Sequence, residues 1–149
     1  MIDEPCLSPL LVDTDVVSML ALHEGRFREF EQLLEGHKVL VSAVTVAEIR
    51  TFLEMGILDP ENQADLRDVL NDYEVLTVRT EDVIDEWVKL RAATIRLGTA
   101  DDRERRQNDT WIAACALSVA PPLPIVTGNL RDFRLLAEHS DLIIVNPDL

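Results

Sequence analysis

The sequence predicts an α/β fold: an α/β/α sandwich whose parallel sheet has about five strands, with helices on both faces. Three observations point there. Five short segments are rich in Val, Ile and Leu with little apolar–polar alternation, as in parallel strands buried on both sides. Helical patterns fill the gaps between them, and strands that alternate with helices build a parallel sheet covered on both faces. The chain, at 149 residues, is long enough for one sizeable core, so residues 1–149 read as a single domain.

In chain order, "PLLVD" (9–13) is the first strand, and Val16 to Leu22 form the apolar face of the helix after it. "KVLVS" (38–42), "YEVLTV" (73–78), "LPIVT" (123–127) and "DLIIV" (141–145) are the other strands. Further helices are expected over 26–35, 44–55, 61–71, 81–97, 109–119 and 130–138. Within 81–97, Val83, Trp87, Leu90 and Thr94 fall on one stripe at helical spacing. Thr80 with Val83, and Thr45 with Glu48, mark helix starts, the second pair in the pattern of a capping box. The longest polar loop is "GTADDRERRQ", Gly98 to Gln107. There is no internal repeat, low-complexity run or linker.

Composition narrows the function. An apolar fraction of 47% and a charged fraction of 28% are ordinary for a globular protein. No apolar run approaches the ~18 residues of a membrane span. "MIDEPCLSPL" lacks the basic start and apolar stretch of a signal peptide. Cys6 and Cys115 lie far apart and make neither a disulfide framework nor a zinc ribbon, which suits a cytoplasmic protein with reduced thiols. His23, His37 and His139 are scattered, without metal-ligand spacing. The net charge of −14 argues against broad non-specific nucleic-acid binding. A local basic patch remains open, because 12 Arg stand against 2 Lys and Arg suits bidentate phosphate contact.

The acids converge. Asp13 ends the first strand at its carboxyl edge, and Asp15 is one step beyond. Glu48 is expected in the first turn of the helix after the second strand. Asp109 is expected to begin the helix that leads into the fourth strand, which places it at the same edge. Asp132 follows the fourth strand by five residues. Singly, each suits a cap, a first turn or a solvated helix face. Together they form one rim, on the edge where parallel sheets bind ligands. Carboxylates with no matching Lys ask for a hard cation, and oxygen-only ligation points to Mg²⁺ or Mn²⁺. Such sites position water and stabilise phosphoryl transition states.

Four segments, in order and covering nearly the whole chain, resemble the motifs of PIN-domain ribonucleases and, within them, the VapC-like toxins. They are "LVDTDVVSML", "VSAVTVAEIR", "NDTWIAACAL" and "IVTGNLRDF". Gly128 departs from the bulkier or basic residue expected there, and Asn129 stands where some relatives carry another Asp. The resemblance implies a PIN-like fold and an endoribonuclease dependent on Mg²⁺ or Mn²⁺. Asp13, Glu48 and Asp109 would be the main metal ligands, with Asp132 a further ligand or supporting acid. Thr14, Asp15, Thr127 and Asn129 would support them, and water made more acidic by the cation would attack the phosphodiester in line. It also implies a cognate antitoxin that holds the enzyme inactive, and a homodimer. RNA phosphates would be met by Arg50, Arg103, Arg105, Arg106 and Arg131, close in sequence to the acids. The alternative for 101–107 is a solvated loop neutralised by Asp101, Asp102 and Glu104. Trp87 and Trp111 read as packing residues.

Two rival readings stand beside this one. "DTDVV" fits the Asp-x-Asp-x-Val opening of a haloacid-dehalogenase-like phosphatase, with Asp13 as nucleophile and Asp15 as general acid. That family places its Thr-Gly motif second, whereas here Thr127 follows Asp109, and Glu48 is left without a task. The other rival is a non-catalytic PIN-like binding module that offers an acidic surface to a basic partner. Against it, every acid of the expected set is present.

Overall fold

A computed structural model describes residues 7–98 and 104–149, with the side chains of 7 and 104–106 left aside. Its sheet is built around β1 (Leu7–Val12). β1 pairs in parallel with β2 (His37–Val41) on one side and β4 (Ile125–Val126) on the other. β3 (Glu74–Val75) and β5 (Ile144–Val145) complete the parallel order β3-β2-β1-β4-β5. The five-stranded parallel sheet expected from sequence is therefore present. The outer strands are shorter than their apolar runs. Pro124 has no N–H to donate, so regular pairing of β4 starts at Ile125, although the Pro124 carbonyl accepts from Leu11 N at 2.9 Å.

Alternate residues of each strand face opposite layers, and both layers are apolar. Leu10, Val12, Val41 and Val126 join Val16, Val17 and Leu20 of α1 (Thr14–Leu22), Phe30 and Leu34 of α2 (Phe27–Leu34) and Leu66 of α4 (Pro60–Asp72). On the other face, Leu11, Leu40 and Ile125 join Leu90 of α5 (Thr80–Arg96), Ile112, Ala113 and Ala116 of α6 (Glu104–Leu117), and Phe133 and Leu136 of α7 (Leu130–Ala137). α3 (Ala43–Glu54) gives Ile49 to the first cluster and Val44 to the second. This two-sided burial is why the inner strands lack alternation; β3 departs from the expectation, Glu74 and Val75 both being exposed at the sheet's edge. Trp87 and Trp111 stack with centroids 4.8 Å apart beside Val83, Ala114 and Cys115, the packing role expected of them. Among the described residues no helix is long and apolar enough to cross a membrane.

Three helix starts differ from the sequence reading. The cap of α3 is Ser42, whose Oγ accepts from Thr45 N at 3.1 Å, so Thr45 and Glu48 form no capping box and Glu48 lies in the second turn. α6 begins at Glu104, so Asp109 also lies in the second turn rather than at the helix start. Glu, Arg and Gln are good helix formers, and they extend α6 upstream of its apolar pattern into part of the expected loop. In α5, Thr80 is the first helical residue and Arg79 holds the cap position.

Candidate active site

The strand order places the topological switch between β1 and β4. From β1 the chain builds outward through β2 and β3, then returns to the other side of β1. Crevices at the carboxyl ends of such strands are where these sheets bind ligands. Asp13 sits there, immediately after β1, only 2% exposed. Its backbone N–H donates to Val126 O across the switch at 3.1 Å. Its carboxylate caps α1, Oδ1 accepting from Val16 N at 3.0 Å. The other oxygen accepts from the hydroxyl of Thr127, a fully buried residue directly after β4. Asp13 therefore caps α1 from within the crevice, and the cap reading leaves room for a site role.

Hydroxyl and amide side chains draw the remaining acids in. Thr14 Oγ1 donates to Glu48 Oε1 at 2.7 Å and lies 3.1 Å from Thr45 Oγ1, which ties α1 to α3. Asn129 caps α7, its Oδ1 lying 3.5 Å from Asp132 N. Its Nδ2 donates to Asp132 Oδ2 at 2.9 Å and to Asp109 Oδ2 at 3.3 Å, so one amide bridges two acids from different helices. Its backbone N–H donates to Thr127 Oγ1 at 2.9 Å. Asp13, Thr127, Asn129, Asp109 and Asp132 are therefore one connected network.

The charges repel within it. Burial pushes the Asp13 carboxyl from 3.8 up to about 7; hydrogen bonds from Thr127 and Val16 N oppose this, and the charges of Asp15 and Glu48 add to it. Asp109 is also raised to about 7, first by burial and then by the charges of Asp13, Asp132, Asp15 and Glu48. Asp13 and Asp109 thus feel the charges of acids carried on α1, α3 and α7. Among the described residues, no three His, Cys, Asp or Glu side chains stand close enough to cage an ion as they are placed. Their oxygens instead accept from Thr14, Thr127, Asn129 and the α1 N-terminus. The chemistry of the donor set is nonetheless that of a hard divalent cation: carboxylate oxygens only, with the pKa of two of the groups, Asp13 and Asp109, raised by burial and then by neighbouring charge.

The arginines are divided. Arg131 is exposed in the first turn of α7, next to Asp132. Arg50 is exposed on α3, but two positions from Glu48 it does not share that residue's face. Arg105 and Arg106 lie in α6 about one turn ahead of Asp109. Arg103 lies outside the described residues, as does Cys6. Sequence reasoning missed Ser42 and Asn146 and misread Thr45, all three buried. The spacing of Ser42 and Thr45 in "VSAVT" was an available cap signal, but a lone Asn after the last strand offers none.

The model of the PIN domain family matches residues 10–138. The chain belongs to the PIN-domain family. Solved structures agree with this PIN-domain assignment. A chain of VapBC-5 of the VapBC toxin–antitoxin family from Mycobacterium tuberculosis is 27% identical, with TM-score 0.68 over 93% of this chain and 98% of that one. DNA-bound VapBC from Salmonella typhimurium gives 23% identity and TM-score 0.73 over 95% and 99%. VapBC2 from Rickettsia felis, bound to a fragment of promoter DNA, gives 19% and 0.73 over 93% and 98%. No curated protein sequence matches the chain. The PIN-like fold and the resemblance to VapC-like toxins are borne out, and PIN-domain nucleases are RNA hydrolases that use divalent metal ions. The dehalogenase-like phosphatase finds no support: the family is PIN, and Glu48, idle in that scheme, is held to the site by Thr14.

Proposed function

We propose that this PIN-domain chain is a VapC-type toxin: an endoribonuclease dependent on Mg²⁺ or Mn²⁺, acting as one domain over residues 1–149 in the cytoplasm. The observation that carries this is the convergence of Asp13, Glu48, Asp109 and Asp132 at the β1–β4 switch, where Asp13 and Asp109 feel the other acids' charges. Asp13, Glu48 and Asp109 would hold the cation, with Asp132 as a further ligand or supporting acid. When bound, the cation supplies positive charge that stabilises a phosphoryl transition state and makes water in the site more acidic.

The chain's own groups do the positioning. Thr127 fixes the Asp13 carboxylate, Thr14 fixes Glu48, and Asn129 sets Asp109 and Asp132 in mutual register. Asp15, exposed in the first turn of α1, adds negative charge at the mouth. Arg131, with Arg105 and Arg106 ahead of Asp109, would meet RNA phosphates and hold the scissile bond for in-line attack; Arg50 and Arg103 would meet flanking ones.

The VapBC likenesses support a cognate antitoxin as partner, whose basic segment would cover the acids through charge-assisted bonds; the working assembly would be a homodimer. The test is cleavage of a short RNA with Mg²⁺, Mn²⁺ or chelator. Cleavage should require metal and vanish in Asp13→Asn and Asp109→Asn while both variants stay folded by circular dichroism. Wild-type cleavage by either variant sinks the site assignment. Expression alone should slow bacterial growth; unimpaired growth at high levels of active protein would refute the toxin role.

A further inference from the structure

The carboxyl-terminal turn is joined to the acids by hydrogen bonds that the proposed chemistry has not used. Asn146, only 5% exposed, follows β5, and its Nδ2 donates to the backbone oxygen of Thr127 at 2.8 Å. Thr127 is the hub of the site: its hydroxyl donates to Asp13 and accepts from Asn129 N. Its backbone N–H continues the β4–β5 ladder, donating to Val145 O at 3.2 Å. Both backbone polar groups of Thr127 are therefore held by the segment 145–146.

Asn146 is itself fixed. Its Oδ1 accepts from Asp148 N at 2.8 Å, and Leu149 N donates to its carbonyl at 3.1 Å. The Asp148 carboxylate takes a two-pronged contact from Arg26, at 2.9 and 2.8 Å, and Arg26 also holds Glu29. Arg26 sits at the cap position of α2. A planar guanidinium against a carboxylate is the most directional ion pair available to side chains. These exposed groups add little stability, but their geometry sets where residues 146–149 lie.

We propose that Asn146 is a positioning residue for the acidic site, acting through Thr127 on Asp13, with Asp148 and Arg26 as its outer anchor. A rotatable threonine hydroxyl has one proton, and it is directed at Asp13 only while the Thr127 backbone stays in place. Removing the amide donor frees the Thr127 carbonyl and lets the hydroxyl, and with it the buried carboxylate, drift. Groups that orient a ligand from behind typically alter metal affinity or activity by about 10–100-fold; Asn146 is one bond further out, so an effect near the lower end is expected.

This rests on the nuclease proposal, and the test separates the two. Asn146→Asp keeps the acceptor for Asp148 N and deletes the donor to Thr127. In this variant Mn²⁺ binding, read by loss of the free-ion electron paramagnetic resonance signal, should weaken about 10-fold. The kcat for RNA should fall similarly, with KM within twofold. Thr127→Val removes the hydroxyl, and Asn146→Asp should add nothing to its loss, because both act along one path. If Asn146→Asp melts early, Asn146→Ala, which removes the donor without adding a charge, is read the same way. Wild-type Mn²⁺ affinity and kcat in the folded variants, or additive losses in the double variant, overturn the inference alone. A wild-type chain that neither takes up Mn²⁺ nor cuts RNA overturns the nuclease proposal, and this inference with it.

Discussion

Asparagine in place of Asp13 should make the metal-free protein more stable at neutral pH and above, with the gain shrinking as pH falls toward 5. Burial lifts the Asp13 carboxyl from 3.8 to about 7, a shift of about 3 units. Fully ionised, that amounts to about 4 kcal/mol against the folded state. Between these two values the folded chain keeps a proton that the unfolded chain has lost. Stability therefore falls as pH rises through the window and is lowest above pH ~7. At pH 5 only about 1–2 kcal/mol of the penalty has accrued. The asparagine side chain keeps the oxygen that accepts from Val16 N, but offers an NH₂ where Thr127 donates, a mismatch costing about 1–3 kcal/mol. At pH 8 in chelator, relief of charge wins by ~1–3 kcal/mol, and Tm rises by about 2–10 °C. At pH 5 the two effects cancel or the mismatch wins. Mn²⁺ should then raise the wild-type Tm by binding the folded state, and leave Asp13→Asn nearly unmoved. Melting curves at both pH values, with chelator and with Mn²⁺, read all four quantities. A variant that melts lower at both pH values, beside a wild type indifferent to Mn²⁺, would leave Asp13 as a cap alone and refute the reasoning.

Thr14→Val should release Glu48 from its 2.7 Å donor and lower cleavage about 10–100-fold with the fold kept; an unchanged rate would mean Glu48 needs no such support. Replacing Arg105 and Arg106 together with Ala should flatten the salt dependence of RNA binding by about 1–2 units of slope; an unchanged slope assigns both to solvent. Phe133→Ala, at a fully buried position in the layer beneath α7, should cost about 3–5 kcal/mol in urea unfolding. A loss under ~1 kcal/mol would contradict the packing described for that face.

The sheet was legible because burial on both faces leaves its mark in residue type. "PLLV" must satisfy two layers at once, Leu10 and Val12 one and Leu11 the other, and only unbroken apolar character does so. The convergence of the acids was legible because topology alone sends strand ends and following helix starts to one edge. Exact helix starts were not. α6 extends upstream through "ERRQ" because its residues favour helix without lying on an apolar stripe, a propensity that periodicity does not register. At α3, Ser42 competed with Thr45 for the cap, and the Glu48 that looked like a capping-box partner is held by Thr14, 34 positions away. Asn146 was invisible for the same reason: its partner, the Thr127 carbonyl, lies 19 positions away at the end of the neighbouring strand.

Asp13 also shows why cap and site are not rival explanations. An acid at a helix N-terminus gains about 0.3–1 kcal/mol from the helix dipole, up to ~2 when partly buried. Its capping bond contributes roughly 1 kcal/mol more. Were these the dominant forces, the carboxyl would titrate below its ordinary value. It is raised to about 7 instead, so desolvation and the neighbouring acids outweigh the cap, the dipole and the Thr127 hydroxyl together. A cap needs only a side-chain oxygen, which Ser or Asn supplies without that penalty, as Ser42 and Asn129 do for α3 and α7. Asn129 caps α7 while bonded to Asp109 and Asp132, so local geometry does not demand a carboxylate at a cap in this site. What distinguishes Asp13 is negative charge held beside Asp109 at a cost to folding, and the proposed divalent cation would turn that cost into binding energy.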